Sequence, residues 1–207
     1  MKRASLRPRS AAFLLCLFLS GCVSLDRSYP DKHYFVLQIN RDGEPSNETA
    51  DGILEVSDIR ISARYEGHSF VYRISDASYE SDFYNQFLIA PAALVTEEVR
   101  KGLAQSRVFE YVINSSSQLQ PTHRLDGIVN TLYGDFRNIS ASRAVLEIEF
   151  FLSKQLPTGT EIVMNKRYSK TVPLSGRSPE ALVKGWDEAL DGILTSLIAD
   201  LKSANSR

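Results

Sequence analysis

Along residues 144–152 apolar and polar side chains alternate. Ala144, Leu146, Ile148, Phe150 and Leu152 fall on one parity, and Val145, Glu147, Glu149 and Phe151 on the other. Period-two patterning of this kind predicts a strand that is dry on one face and mostly wet on the other, as in an antiparallel sheet. Pro157-Thr-Gly-Thr reads as a turn, and Glu161 to Val172 as the hairpin partner. Leu125, Val129 and Tyr133 mark a further strand within 123–136. Earlier in the chain, His33–Ile39, Ile53–Ser62 and His68–Ser75 are rich in aromatic and β-branched residues and read as strands. An extended piece within 76–90 carries Tyr79, Phe83, Tyr84 and Phe87, and Phe109–Ile113 is another short strand.

Two segments change period. Leu94, Val95, Val99 and Leu103 recur at helical spacing behind Pro91, which suits a first helical turn, while Glu97 and Lys101 pair four apart on the wet side. The C-terminal segment opens on Ser178 as N-cap, Pro179 and Glu180. An apolar stripe follows from Leu182 and Trp186 through Leu190, Leu194 and Leu197 to Leu201. A helix with such a stripe must bury it, and a sheet with one dry face needs a cover. The expectation is an α+β fold: a mostly antiparallel sheet with two helices, at about 91–105 and 178–203, packed on one face.

The N-terminus carries a different pattern. Lys2, Arg3, Arg7 and Arg9 precede the apolar run Ala11–Leu19, which has signal-peptide length and is too short to span a bilayer. Leu19-Ser20-Gly21-Cys22 then resembles the bacterial lipobox. That resemblance implies cleavage between Gly21 and Cys22 and a lipidated Cys22, carrying diacylglyceryl and an N-acyl chain such as palmitate. Residues 1–21 are read as the signal peptide, 22–32 as the lipidated cysteine with a short tether, and 33–203 as one domain. Ten tether residues, 23–32, reach at most roughly 33 Å. Val23 follows the cysteine where Asp would favour inner-membrane retention. This points to the periplasmic face of the outer membrane ahead of the inner membrane.

Charge and cysteine content narrow the function. The chain has 24 Lys+Arg and 25 Asp+Glu. Loss of the four basic residues of the signal leaves 20 against 25, near −5, which gives no electrostatic reason for nucleic-acid binding. Cys16 departs with the signal and Cys22 takes lipid, so no thiol remains for a disulfide or a metal site. His33, His68 and His123 are scattered near strand starts, and no Gly-x-Ser-x-Gly, phosphate-cradling glycine loop or His-Glu-x-x-His occurs. The chain is read as a non-enzyme with no cofactor beyond its lipid. A hydrolase would need a convergent nucleophile–base pair that the spacing does not provide.

One ordered set of motifs resembles a family. Phe83-Tyr84-Asn85-Gln86-Phe87-Leu88, Ala90-Pro91, Leu94-Val95-Thr96-Glu97, then Ser106, Val108 and Phe109 resemble the ABC-type transport auxiliary lipoproteins. These include the auxiliary lipoprotein of the paraquat-inducible system. Leu125–Val129, Leu132–Phe136, Ala144–Ile148, Tyr168 and the final helix continue the likeness, as do Tyr34, Val36, Leu37 and Tyr72-Arg73. The chain departs at Gln86-Phe87, where a Trp is frequent. The resemblance implies a docking component, itself without hydrolytic activity, for a system of ATPase, permease and MCE-domain periplasmic protein. Such systems move lipid or other hydrophobic cargo between membranes, and self-association of the auxiliary protein is implied too. The crowded aromatics Tyr79, Phe83, Tyr84 and Phe87 are the candidate partner or self-contact residues, with core packing as the competing explanation. The alternative function is a lipopolysaccharide-assembly-type plug or chaperone for an outer-membrane β-barrel, which fold class alone does not separate from the first.

Overall fold

In the computed structural model, residues 31–41 and 50–205 are described. The signal peptide, the Gly21–Cys22 cleavage site and the tether as far as residue 30 lie outside the described residues. So does most of the loop expected at 40–52.

Among the described residues nine strands and two long helices follow in chain order: β1 (His33–Phe35), β2 (Ala50–Val56), β3 (Arg60–Ile61), β4 (Ser69–Arg73), β5 (Tyr79–Phe87), α1 (Pro91–Ser106), β6 (Phe109–Asn114), β7 (His123–Asp135), β8 (Arg143–Leu156), β9 (Gly159–Pro173) and α2 (Pro179–Asn205). The alternation in β8 does what its pattern requires. Ala144, Leu146, Ile148, Phe150 and Leu152 are fully buried beneath the helices, while Val145, Glu147, Glu149 and Phe151 on the other face are half-buried. On that open face Arg167 of β9 bridges Glu149 at 2.9 Å and Glu147 at 3.6 Å.

The α2 stripe from Leu182 to Leu201 is buried on the sheet, with Trp186 near its start. The indole Nε1–H donates to the Tyr133 carbonyl at 3.4 Å, and the ring meets Phe70 edge-on at 5.1 Å and Phe87 at 5.4 Å. Ser178 caps the helix by accepting the Ala181 N–H at 3.2 Å. The helix runs so close to β8 that a Cβ at Gly185 would stand 2.7 Å from Leu174 Cδ2 and 2.8 Å from Ala144 Cβ. The two helices lie side by side, touching where Gly102 of α1 faces Leu194 of α2. The α+β class and both helices match the sequence reading.

The sheet does not match it: the sheet is mixed, not mostly antiparallel. Only β4–β5, β7–β8 and β8–β9 are antiparallel, whereas β1–β5, β2–β6, β2–β7, β3–β7 and β4–β7 are parallel. The cause lies on one edge of β7. Its residues 123–125, 128–129 and 134–135 pair in turn with β2, β3 and β4, all running the same way. These three pieces act as one long strand interrupted at 57–59 and 62–68. The segment expected as a single strand at 53–62 therefore divides in two. Helix α1 then returns the chain so that β6 joins β2 in parallel, as a crossover must.

Candidate functional site

The aromatic-rich segment singled out in the sequence is β5, and its geometry turns on Asp82. Across the β4–β5 ladder Ser69 pairs with Gln86 and Val71 with Ser81. Residues 82–85 therefore stand against the single residue Phe70 and bulge from the strand. The Asp82 carboxylate fastens the bulge from within. Oδ1 accepts the N–H groups of Tyr84 at 2.8 Å and Asn85 at 3.0 Å, and Oδ2 accepts Tyr72 Oη–H at 2.7 Å and Asn85 Nδ2–H at 2.8 Å. Burial works to raise the Asp82 pKa. The hydrogen bonds from Asn85, Tyr72 and the backbone outweigh it and hold the carboxyl below its ordinary range. Burial first, then the bond to Asp82, pushes the Tyr72 phenol far up.

The bulge sorts the four candidate contact residues. In an unbroken strand Phe83 and Phe87 would share a face. Here Phe83 is 63% exposed and Tyr84 37% exposed, their rings edge to face at 5.3 Å, while Phe87 is in the core at 2%. Tyr79 is half-buried, with its ring 5.8 Å from Tyr133 and Arg64 and Arg73 over it. For Phe87, and in large part for Tyr79, the core explanation holds. Phe83 and Tyr84 remain available for contact.

Strand β1 lies beside them. Tyr34 is opposite Gln86 and Phe35 opposite Phe87, so Phe35 turns inward against Phe70 at 5.2 Å while Tyr34 turns outward. Val36 and Leu88 continue that outer side and are exposed, as is Ile89. The Lys32 ammonium sits 4.2 Å from the centre of the Phe83 ring. This exposed apolar surface, which β1 and the bulge share, is the candidate site.

Beyond β1 the chain is clasped by both helices. The N–H of Gln38 donates to Asp187 Oδ1 of α2 at 2.9 Å, and that of Ile39 to Glu98 Oε2 of α1 at 2.7 Å. Arg41 pairs with Asp191 at 3.0 Å and donates to Thr195 Oγ1 at 3.1 Å. Leu37 and Ile39 are buried between these contacts. Sequence reasoning missed this clasp, although charges on otherwise apolar helix faces were a visible signal. Burial raises the Asp187 carboxyl to about 6, against the Gln38 bond that lowers it and with help from the Glu98 charge.

His123 is buried beside Phe109, its Nδ1 3.0 Å from Thr122 Oγ1, and burial with the Lys154 charge lowers its pKa. His33 lies on β1 and His68 just before β4. A cleft of about 540 Å³ behind the bulge is lined by Tyr72, Asp82, Asn85, Phe136, Arg137 and Arg177. Arg137 is committed to Asp135 at 2.7 Å and Asp76 at 2.8 Å. Among the described residues no group of three or more His, Cys, Asp or Glu is placed to hold a metal. Nor is any described helix long and apolar enough to cross a membrane.

The same fold occurs in solved structures. Protein XCC0632 from Xanthomonas campestris superposes with a TM-score of 0.71 at 12% identity, covering 84% of this chain and 97% of its own. A second, described only as an uncharacterized protein, gives 0.65 at 14%, covering 83% and 99%. The hypothetical protein CT253 from Chlamydia trachomatis gives 0.52 at 8%, covering 75% and 98%. At these identities the likeness is one of fold. No curated protein matches the sequence. The sequence itself matches over residues 35–197, from inside β1 to the last turns of α2, a family described as the ABC-type transport auxiliary lipoprotein component, and the chain belongs to that family.

Proposed function

We propose that this lipoprotein is anchored through lipid on Cys22, faces the periplasm from the outer membrane, and serves as the docking component of an ABC/MCE-type transport system. The observation that carries the proposal is the family match over 35–197, taken with the lipobox that precedes it. The protein would contribute position, not chemistry: a rigid domain held within a short tether of one membrane. Its partners would be an MCE-domain protein with its permease and ATPase, and further copies of itself. Neither a catalytic centre nor a cofactor other than the lipid belongs to this reading. The cargo would be lipid or another hydrophobic molecule handed between membranes.

Two measurements test it. Membrane fractionation with intact-mass analysis should place the chain in the outer membrane, cleaved before Cys22 and acylated; a soluble or Cys22-unmodified chain contradicts the anchor. In cells, loss of this chain together with its system's ATPase should raise envelope permeability no more than loss of either alone. Additive defects would place the two in separate processes.

A further inference from the structure

We infer that the surface formed by Phe83 and Tyr84 of the β5 bulge with the outer side of β1 rests on the lipid bilayer that holds the anchor. The inference deepens the proposed function and depends on Cys22 carrying lipid.

First, the exposure is built in. Four residues are displaced from the β4 ladder and fixed by four hydrogen bonds to one carboxylate, with the result that two aromatic rings project into solvent. Apolar side chains exposed side by side on a folded domain mark an interaction site, where one exposed alone would not. Second, the chemistry suits the boundary between headgroups and acyl chains. Tyr and Phe rings settle at that level, and a Lys beside them reaches phosphate while its stem stays apolar. Lys32 stands over the Phe83 ring, and Tyr34, Val36 and Leu88 extend the same side.

Third, covalent geometry selects the occupant. Only residues 23–32 separate Cys22 from β1, a reach of at most roughly 33 Å. The candidate surface therefore lies where the chain enters the domain. Other exposed apolar residues, such as Tyr111 on β6 and Ile162 and Val163 on β9, lie on strands that do not pair with β1, where the tether enters. Tethering raises the local concentration of bilayer at the surface, so weak interfacial affinity suffices. The clasp of Gln38, Ile39 and Arg41 on both helices fixes the direction of β1 relative to the core. A bilayer contact at β1 and β5 thus orients the whole domain and leaves the β9 edge for protein partners.

The test uses the mature lipidated chain with Phe83→Trp, reconstituted into phosphatidylethanolamine–phosphatidylglycerol vesicles with acyl chains brominated near the headgroup. Trp186 is fully buried against Phe70 and Phe87 and reports that the core is intact. The expected result is blue-shifted emission from the introduced indole, quenched about twofold by the brominated lipid. Adding Tyr34→Ser and Tyr84→Ser should relieve that quenching while the chain still floats with the vesicles. Flotation with unquenched emission overturns the bilayer contact and leaves the anchor standing, whether or not cross-linking at position 83 captures a protein. Failure to float at all removes the anchor reading and the inference with it.

Discussion

Replacing Asp187 with Asn should make the domain more stable at neutral pH. Asp187 projects from α2 into the clasp, where Oδ1 accepts the Gln38 N–H at 2.9 Å. Asn keeps an oxygen for that bond and removes the charge. Burial holds the carboxyl at about 6 against 3.8 for an ordinary one. The difference corresponds to about 3 kcal/mol at a dry site, and solvent contact at this half-buried group screens it to about 1–2 kcal/mol. The sign follows from proton binding. Between pH 4 and 6 the folded chain keeps a proton that the unfolded chain has lost, so this group's contribution falls as pH rises through that window and is flat above it. Urea unfolding of the parent and Asp187→Asn chains from pH 4 to 8 isolates the effect, because every other carboxyl titrates in both. The variant should match the parent near pH 4 and exceed it by about 1–2 kcal/mol at pH 7.5, with Tm higher by about 2–6 °C. Equal pH slopes, or a variant weaker at pH 7.5, would refute the reasoning and mean that the ionised carboxylate is favoured by the clasp.

Four further substitutions probe the fold and the bulge. Phe87→Ala should cost about 3–5 kcal/mol because the ring fills the core beside Trp186, whereas Phe83→Ser should stay within about 0.5 kcal/mol, both read by urea unfolding. If Phe83→Ser unfolds the domain, its ring is core after all. Gly185→Ala should cost about 1–3 kcal/mol, since Leu174 and Ala144 occupy the space its Cβ needs; an unchanged Tm would show that α2 shifts freely on β8. Asp82→Ala should cost about 1–3 kcal/mol by stranding Tyr72 and two backbone N–H groups. It should also speed amide exchange at Tyr84 and Asn85. Because Asp82 titrates below the ordinary range, its contribution is present above about pH 4 and lost as pH falls through its folded pKa, and the alanine chain should lack that acid-limb loss.

Much of this was legible in the residues, and what was not has a physical reason. The β8 alternation and the α2 stripe report which side chains must be dry, and burial follows them residue by residue. Ser178 and Pro179 mark the start of α2 because capping is local. Strand direction is not local. Periodicity in 53–75 reads the same whether those residues run with or against β7, so the parallel ladder of β2, β3 and β4 was invisible. The clasp on Gln38 and Ile39 joins residues 149 and 59 positions apart. For the aromatic cluster, composition gave the region but not the division. Phe83 and Phe87 have the same parity, and only the bulge, fixed through Tyr72 on the neighbouring strand, sends one outward and the other inward.

The central claim, a docking role in an ABC/MCE-type system, is tested most directly by what the protein brings with it. Tagged, lipidated full-length chain would be purified from mildly solubilised native membranes and its partners identified by mass spectrometry. The account predicts an MCE-domain protein together with a permease and an ATPase. An outer-membrane β-barrel in their place, or no reproducible partner, would contradict it.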